Sequence, residues 1–215
     1  MMMTPRLAVF PLALSLLLPG CSVLSALEGE PNRDVFELRA PPGGGQCGRG
    51  RVAELVVETP KARGTLDTAR IMVRPSALQT EYLPDAIWGD PVPVMLQGLL
   101  VEALQRYDVF THVGREPLGL GGDYALISEI YDFNAEVGGD TDGKGALIRL
   151  SVDAQLVDEL SATVIRRGNF RTTAQAASTR TADLVPAFDA AAQELIAQMT
   201  AWALGGVGAN AERCR

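Results

Sequence analysis

Residues 146–156 read ALIRLSVDAQL, and this stretch decides the fold. From position 148 to position 156, apolar residues stand at every even position and polar residues at every odd position. A period of two places the apolar side chains on one side of an extended chain, so the stretch predicts a β-strand with one buried and one solvent-facing side. Such a strand is typical of an antiparallel sheet that is covered on one side only.

Further strands are predicted on both sides of this stretch. Short runs of β-branched and other apolar residues, separated by turn residues, indicate four strands before it. One more strand follows it and is more polar, and its charges suit a sheet edge or a surface that contacts a partner. The predicted strands are 52–58, 71–73, 109–113, 124–133 and, after the central stretch, 162–174.

Two amphipathic helices are predicted from apolar residues that recur every three to four positions. The first begins at Asp90 and Pro91, because Asp accepts hydrogen bonds from free N–H groups and Pro is tolerated in the first turn. The second begins at Asp183 and ends at Gly205 and Gly206. The apolar stripe of the first helix is Leu96, Leu99, Leu100, Ala103, Leu104 and Tyr107, and that of the second is Phe188, Ala191, Ala192, Leu195, Ile196, Met199 and Trp202.

Together these elements predict an α/β fold. We expect a single domain at residues 51–205, in which a mixed, largely antiparallel sheet of about five to six strands packs against two amphipathic helices. The helix between the second and third strands favours a crossover connection, and the later strands favour hairpins. Residues 206–215 are expected to form a C-terminal tail.

Composition narrows the range of functions. The chain has 215 residues, with 19 Lys and Arg, 26 Asp and Glu, and a net charge of −7. Nucleic-acid binding is not expected, because it needs clustered Lys and Arg to neutralise phosphates. The single histidine, His112, also argues against a metal site and against acid–base catalysis, and we interpret it as a core or rim residue.

Two glycine-rich stretches match ligand-binding motifs only in part. Residues 43–48 fit G-x-G-x-x-G, but no predicted strand precedes them and no helix follows, so they indicate a flexible linker. Residues 138–145 approach a P-loop and an EF-hand, but Gly145, Lys144 and Ser151 stand where those motifs need a hydroxyl or a carboxylate. We expect a hairpin turn there, with weak calcium binding as the alternative. The sequence thus predicts no cofactor, no metal and no catalytic residue.

The N-terminus has the features of an exported lipoprotein. Residues 7–18 form an apolar run that would span roughly 18 Å as a helix, too short for a hydrocarbon core of about 30 Å. This run indicates a signal peptide at residues 1–20. The next residue, Cys21, resembles the lipobox cysteine of bacterial lipoproteins, which carries fatty acyl chains such as palmitate. An ordinary secretory signal is the alternative.

Segment 21–50 is predicted to be a lipidated flexible tether, because it is rich in Gly, Pro and small polar residues and has no sustained apolar period. If Cys21 is lipidated, Cys47 and Cys214 remain. An even pair of cysteines in an exported protein predicts a disulfide between them. Free or intermolecular thiols are the alternative.

The sequence also contains the motif of a known family. It consists of RIMVR at residues 70–74, the pair Tyr82 and Leu83, and IWGDP at residues 87–91 directly before the first helix. Through these residues the chain resembles the ABC-type transport auxiliary lipoproteins, the PqiC/YmbA-like group. The likeness extends over residues 53–203, and the chain departs from the family pattern at the start of the helix and in its Cys-bearing tail.

The resemblance implies a non-catalytic envelope lipoprotein that serves an ABC transporter and a protein with a mammalian-cell-entry (MCE) domain. It implies transport of lipids or related hydrophobic molecules between the inner and outer membranes. Ser22 and Val23 follow Cys21, whereas an Asp at this place commonly retains Gram-negative lipoproteins in the inner membrane. We therefore expect anchoring at the periplasmic face of the outer membrane. The sequence leaves open whether the chain forms a homo-oligomer.

Tyr82, Leu83, Ile87 and Trp88 are the predicted docking residues. A loop with several apolar groups between turn residues either packs against the helix or presents a hot spot to a partner, and packing is the favoured use of Trp88. Two other functions remain as alternatives. One is an assembly factor or chaperone for outer-membrane components, and the other is a periplasmic hydrolase, which would need a polar pocket.

Overall fold

Three long consecutive strands form the centre of the sheet. The computed structural model describes residues 33–47, 52–119, 121–138 and 145–214. Strand β7 (Tyr124–Val137) pairs antiparallel with β8 (Ala146–Asp158), which pairs antiparallel with β9 (Thr163–Ala176). The apolar even positions of β8 are buried, as their alternation predicts.

The second edge of β7 is shared by three shorter strands, all parallel to it. Strand β2 (Val52–Val57) pairs with the beginning of β7, β3 (Lys61–Ala62) with its middle, and β4 (Arg70–Ser76) with its end. Pro60 lies in the first of the two connections that separate them. Because Pro has no N–H to donate to a ladder, it helps to divide this edge into separate strands.

Three more strands extend the sheet beyond this shared edge. Strand β5 (Gln79–Trp88) lies antiparallel to β4, and β1 (Asp34–Phe36) lies parallel to β5. Strand β6 (Phe110–Gly114) lies parallel to β2. Within the described residues, the sheet is therefore mixed, has nine strands and is forked at β7.

Two helices, α1 (Val92–Gln105) and α2 (Thr181–Gly206), contact each other and bury most of the apolar stripes that the sequence predicts. Two predicted positions are only half-buried, namely Tyr107, which lies beyond the end of α1, and Trp202 of α2. α2 also packs on β8 and β9. α1 begins after Pro91 and has no side-chain cap. The prediction that Asp90 accepts hydrogen bonds from its first N–H groups is therefore wrong. α2 begins before Asp183, whose carboxylate lies in the first turn, where the helix dipole favours negative charge.

Three aromatic rings join the sheet to the helices. Trp88 meets Phe188 of α2 edge to face, with ring centroids 5.3 Å apart, and Phe133 stacks on Phe188 at 5.7 Å. Trp88 also meets Phe133 edge to face at 6.2 Å. All three side chains are almost fully buried. Such rings contribute large apolar areas and preferred pair geometries, so this cluster fixes how β5, β7 and α2 pack together.

The predicted count of five to six strands is wrong, because the sheet has nine. The strands that the sequence does not reveal are β1, β3 and β5. β1 has three residues and β3 has two, too few to show a period. β5 carries Pro84 and is mostly exposed before Ala86, so its sequence resembles a loop.

The structure also moves the predicted domain boundary at residue 51. Residues 34–36 form a strand, and the side chains of Leu38 and Ala40 are buried in the core. This part of the segment expected to be a tether therefore belongs to the folded unit, which spans Arg33–Arg215. Leu38 and Ala40 flank a single polar residue, Arg39, and this pattern is too short to distinguish from a linker.

The aromatic cluster gives a direct test of the fold. Replacing Trp88 by alanine is expected to lower the free energy of unfolding by about 3–5 kcal/mol, because the cavity left between β5 and α2 cannot close. The neighbouring change Ile87→Ala removes a half-buried side chain and is expected to cost about 1 kcal/mol. Chemical denaturation of both variants measures the difference, and equal losses would contradict the packing described.

Candidate interaction surface

Residues 33–47 form a strap that runs from β1 to the end of α1. The backbone N–H of Arg39 donates to Asp189 Oδ1 of α2 at 2.9 Å, and its guanidinium Nε donates to Oδ2 at 3.1 Å. Beyond the C-terminal end of α1, the Arg106 side chain donates to the carbonyl oxygen of Pro41. The backbone N–H of Gly45 donates to the Arg106 carbonyl oxygen at 3.0 Å. The strap is thus hydrogen-bonded to α2 and to the residue that follows α1.

A disulfide between Cys47 and Cys214 joins the strap to the C-terminal tail. The tail reaches the strap because α2 ends at Gly206 and a short 3₁₀ helix, Ala211–Arg213, follows. Cys21 lies outside the described residues, so its lipidation stays a prediction.

The glycines of the strap allow its backbone to approach Arg106 closely. Gly43, Gly44 and Gly45 all have φ between +135° and +139°, which favours glycine. A Cβ atom on Gly44 would lie 2.6 Å from the Arg106 carbonyl oxygen. The described part of the G-x-G-x-x-G match is therefore held against the end of α1, and the expectation of a flexible linker there is wrong. Residues 139–144 of the other glycine-rich stretch lie outside the described residues.

The four predicted docking residues lie on strand β5, not on a loop. Trp88 belongs to the aromatic cluster and is 1% exposed, so it packs inside the domain. Ile87 is half-buried and pairs with Val35 of β1 and Arg70 of β4. Of this group, only the half-buried residues retain surface that a partner could contact.

Tyr82 and Leu83 are half-buried side chains packed at the margin of the core. The Tyr82 hydroxyl donates to the Thr65 carbonyl oxygen at 2.9 Å. The Arg70 guanidinium carbon lies 4.0 Å from the centre of the Tyr82 ring, a cation–π contact. Tyr82 therefore has partners within the domain and is only half-buried.

A polar groove of about 270 Å³ crosses the sheet and is lined by residues from β3, β7, β8 and β9. Asn169 Nδ2 donates to Asp153 Oδ1 at 2.6 Å on its floor. A hydrogen bond to the Glu129 carboxylate raises the pKa of Tyr131, so this phenol stays protonated and donates. Lys61 of β3 also lines the groove. The groove can hold polar groups through these donors and acceptors.

The described residues of this groove do not include a serine–histidine pair. His112 lies on β6, where its Nε2 is 3.9 Å from Glu54 Oε1 of β2, and neither residue lines the groove. Ser128 lines it, but its hydroxyl is buried without a hydrogen-bond partner. A nucleophile needs a base within hydrogen-bond reach, and Ser128 has no hydrogen-bond partner in the part of the chain that the structure describes. Among the described residues, no group of three or more His, Cys, Asp and Glu could hold a metal ion.

The sequence could indicate only part of this groove. The alternation in β8 assigns Asp153 to the solvent-facing side, and the same reasoning applies to Asn169 on β9. The register between strands, which brings Asp153 opposite both Glu129 and Asn169, cannot be read from one sequence. Lys61 lies on a two-residue strand that has no periodic signal.

In the described part of the chain, both helices pack against strands of the sheet. No helix there is long and apolar enough to cross a lipid bilayer.

The sequence matches the model of one protein family. A family model described as the ABC-type transport auxiliary lipoprotein component matches residues 36–200. An uncharacterized protein of Bradyrhizobium diazoefficiens, bll6063, is 26% identical over 187 residues, which cover 84% of this chain and 49% of that protein. The chain thus spans about half the length of the curated relative it matches.

Solved structures share the fold. The crystal structure of protein XCC0632 from Xanthomonas campestris has a TM-score of 0.69 at 22% identity, over 81% of this chain and 96% of that chain. A second crystal structure, of an uncharacterized protein, has a TM-score of 0.59 at 15% identity, over 79% of this chain and 97% of that chain. At these identities the likeness shows the fold alone.

The disulfide predicts the result of peptide mapping. Digestion of the non-reduced protein is expected to yield one linked peptide pair that contains Cys47 and Cys214, and reduction should separate the pair. Removing a native disulfide typically costs about 2–5 kcal/mol of stability, so Cys47→Ser together with Cys214→Ser should unfold at lower denaturant concentration. Recovery of the two cysteines as separately alkylated peptides would contradict the linkage.

The contact between Arg39 and Asp189 predicts a pH-dependent stability. Burial by itself raises the pKa of Asp189. The hydrogen bonds and charge of Arg39 lower this pKa by a larger amount, so it lies below its usual value. A carboxyl with a lowered folded-state pKa stabilises the protein at neutral pH and loses this contribution as pH falls through that pKa. Asp189→Asn is expected to cost about 1–2 kcal/mol at pH 7 and less under acid conditions.

The control for this prediction is Glu194→Gln. Glu194 lies on the same helix, and among the described residues its side chain accepts only from the exposed Gln198 side chain. Urea denaturation of both variants between pH 2 and pH 7 measures the two effects. A loss of stability in Asp189→Asn that stays constant across this range would contradict the assigned ion pair.

Proposed function

The chain belongs to the ABC-type transport auxiliary lipoprotein family, and from this premise we propose that it is a non-catalytic lipoprotein of the bacterial envelope. In this proposal it helps an ABC transporter and an MCE-domain protein to move lipids or related hydrophobic molecules between the inner and outer membranes. The observation that carries the proposal is the family match over residues 36–200, which covers nearly all of the folded unit.

The N-terminal sequence supports an anchored position. Cys21 follows a signal-like apolar run, and acyl chains on its sulfur would attach the domain to a bilayer. Ser22 and Val23 favour the periplasmic face of the outer membrane in a Gram-negative cell. The strap begins at Arg33, so a short segment separates the proposed anchor from the fold.

The physical demand of lipid transport supports a docking role. A lipid that crosses water needs a continuous apolar path, because exposure of its chains to water is unfavourable. A domain fixed at one membrane can hold one end of such a path through protein contacts. The polar groove, without an assembled nucleophile and base, favours docking over hydrolysis. Tyr82, Leu83 and Ile87 remain the proposed docking residues on β5, whereas Trp88 is used for packing.

Affinity purification from crosslinked membranes tests the proposal. The full-length lipoprotein is expected to recover an MCE-domain protein together with the subunits of an ABC transporter. Recovery of an outer-membrane β-barrel protein in their place would favour an assembly factor and contradict the proposal. An unmodified Cys21 in the mature protein, measured by mass spectrometry, would contradict the anchor.

The docking residues are tested in the same experiment. Tyr82→Ala combined with Leu83→Ala is expected to reduce recovery of the MCE-domain protein about tenfold, since hot-spot side chains carry most of the binding energy. Thr80→Ala with Glu81→Ala is the matched control, because both residues are exposed on the same strand. Thermal unfolding must show that the first variant is folded. Unchanged recovery with a folded variant would refute docking through β5.

A further inference from the structure

The outer edge of β9 is a long row of backbone groups without a strand partner. β9 has 14 residues and pairs only with β8 in the part of the chain that the structure describes. The strands at the other ends of the sheet are much shorter, with three residues in β1 and five in β6. Proteins commonly keep edge strands short or covered, because an exposed edge can pair with another extended chain. β9 departs from this practice.

The charge of β9 is opposite to that of the chain. The strand carries Arg166, Arg167 and Arg171 and no acidic residue, whereas the chain has 26 acidic and 19 basic side chains. Arg167 and Arg171 are exposed and make no ion pair with any described residue. These two arginines are therefore available to carboxylates from another molecule.

Arg166 has a different environment. Its Nη1 donates to the Trp202 carbonyl oxygen of α2 at 2.9 Å, on the side of the sheet where Phe170 and Thr172 are buried. Side chains alternate along a strand, so Arg167 and Arg171 lie on the opposite side. They are four residues apart, which in a strand corresponds to about 13 Å.

Apolar side chains accompany these charges. Val164 and Ile165 are each 38% exposed at the beginning of β9, and Leu160, in the turn that leads into it, is 83% exposed. Charges that only protect an edge do not need exposed apolar neighbours. An edge with apolar groups at one end and two unpaired cations further along is suited to an extended peptide of matching pattern.

We propose that the outer edge of β9 binds an extended acidic segment of a partner protein by strand addition. Backbone hydrogen bonds give the pairing, and two carboxylates four residues apart in the segment lie opposite Arg167 and Arg171. An apolar residue beyond them contacts Ile165. This inference deepens the proposed docking function and rests on it for the identity of the partner, but the binding itself can be measured without a transporter.

A second copy of this chain would meet like charges in one register of self-pairing. In antiparallel self-pairing centred on Asn169, Arg167 of one copy would lie opposite Arg171 of the other. Like charges directly opposite each other are destabilising in a sheet. An acidic segment places opposite charges at the same positions.

Synthetic peptides test the proposal on the full-length lipoprotein in detergent. The probe is a fluorescent nine-residue peptide of alternating valine and threonine, with glutamates at two positions four residues apart. Fluorescence anisotropy is expected to show saturable binding that weakens with added salt. The same peptide N-methylated at every residue keeps its charges but has no backbone N–H to donate to the ladder, and it should bind at least tenfold more weakly.

Charge reversal locates the site. Arg167→Glu with Arg171→Glu is expected to weaken binding of the probe about tenfold, since two attractive cross-strand pairs become repulsive. Arg115→Glu with Arg213→Glu makes the same change in net charge at exposed positions away from β9 and should leave binding unchanged. Circular dichroism checks that both variants are folded. Arg167→Lys with Arg171→Lys should bind close to the wild type, because this variant retains both positive charges.

Several outcomes would overturn the proposal. Equal binding of the N-methylated and unmodified probes would show charge attraction without strand addition. Binding to vesicles that contain phosphatidylglycerol, with no binding of the peptide, would show a lipid-contact surface. Self-association that Arg167→Glu with Arg171→Glu abolishes would assign the edge to a second copy. Failure of peptide binding with unchanged recovery of the MCE-domain protein would reject this edge while leaving the proposed function intact.

Discussion

The backbone pairing of β7 is the constraint on which the rest of the structure depends. A long strand in the middle of a sheet must satisfy its N–H and C=O groups on both edges, because unpaired buried groups cost free energy. β8 satisfies one edge along almost its full length. The other edge is satisfied in three pieces by β2, β3 and β4. This division places the strands of the first half of the chain in two branches, one with β4, β5 and β1 and the other with β2 and β6. Phe133 of β7 contacts Trp88 of the first branch and Phe188 of α2.

Periodicity decides which parts of this architecture a sequence can reveal. The alternation in β8 and the apolar stripes of α1 and α2 extend over enough residues to predict their type and their buried sides. β1 and β3 are too short for a period, and β5 exposes most of its residues because it lies near the end of one branch. The disulfide was predictable from cysteine number and export, whereas the polar groove depends on strand register, which no local pattern encodes.

The residues that make the family recognisable have mainly a structural use. Ile71 and Trp88 are buried, and Tyr82 is bonded to Thr65 and covered by Arg70. A motif of this kind identifies the way β4, β5 and α1 pack, and so it identifies the fold better than a partner. Surfaces that distinguish one family member from another are then expected where packing imposes fewer demands, as on the exposed positions of β9.

The covalent link between Cys47 and Cys214 has a mechanical consequence. Tension from a membrane anchor would enter the fold at Arg33 and load β1 and the Arg39 contact with Asp189 first. These contacts can yield one after another, as in peeling. The load then reaches a bond that joins the first part of the fold to its last, so the force passes to the tail and does not unravel β2 and the strands after it. If the proposed anchor at Cys21 is present, residues 33–46 would therefore extend under load before the strands that follow the disulfide are pulled.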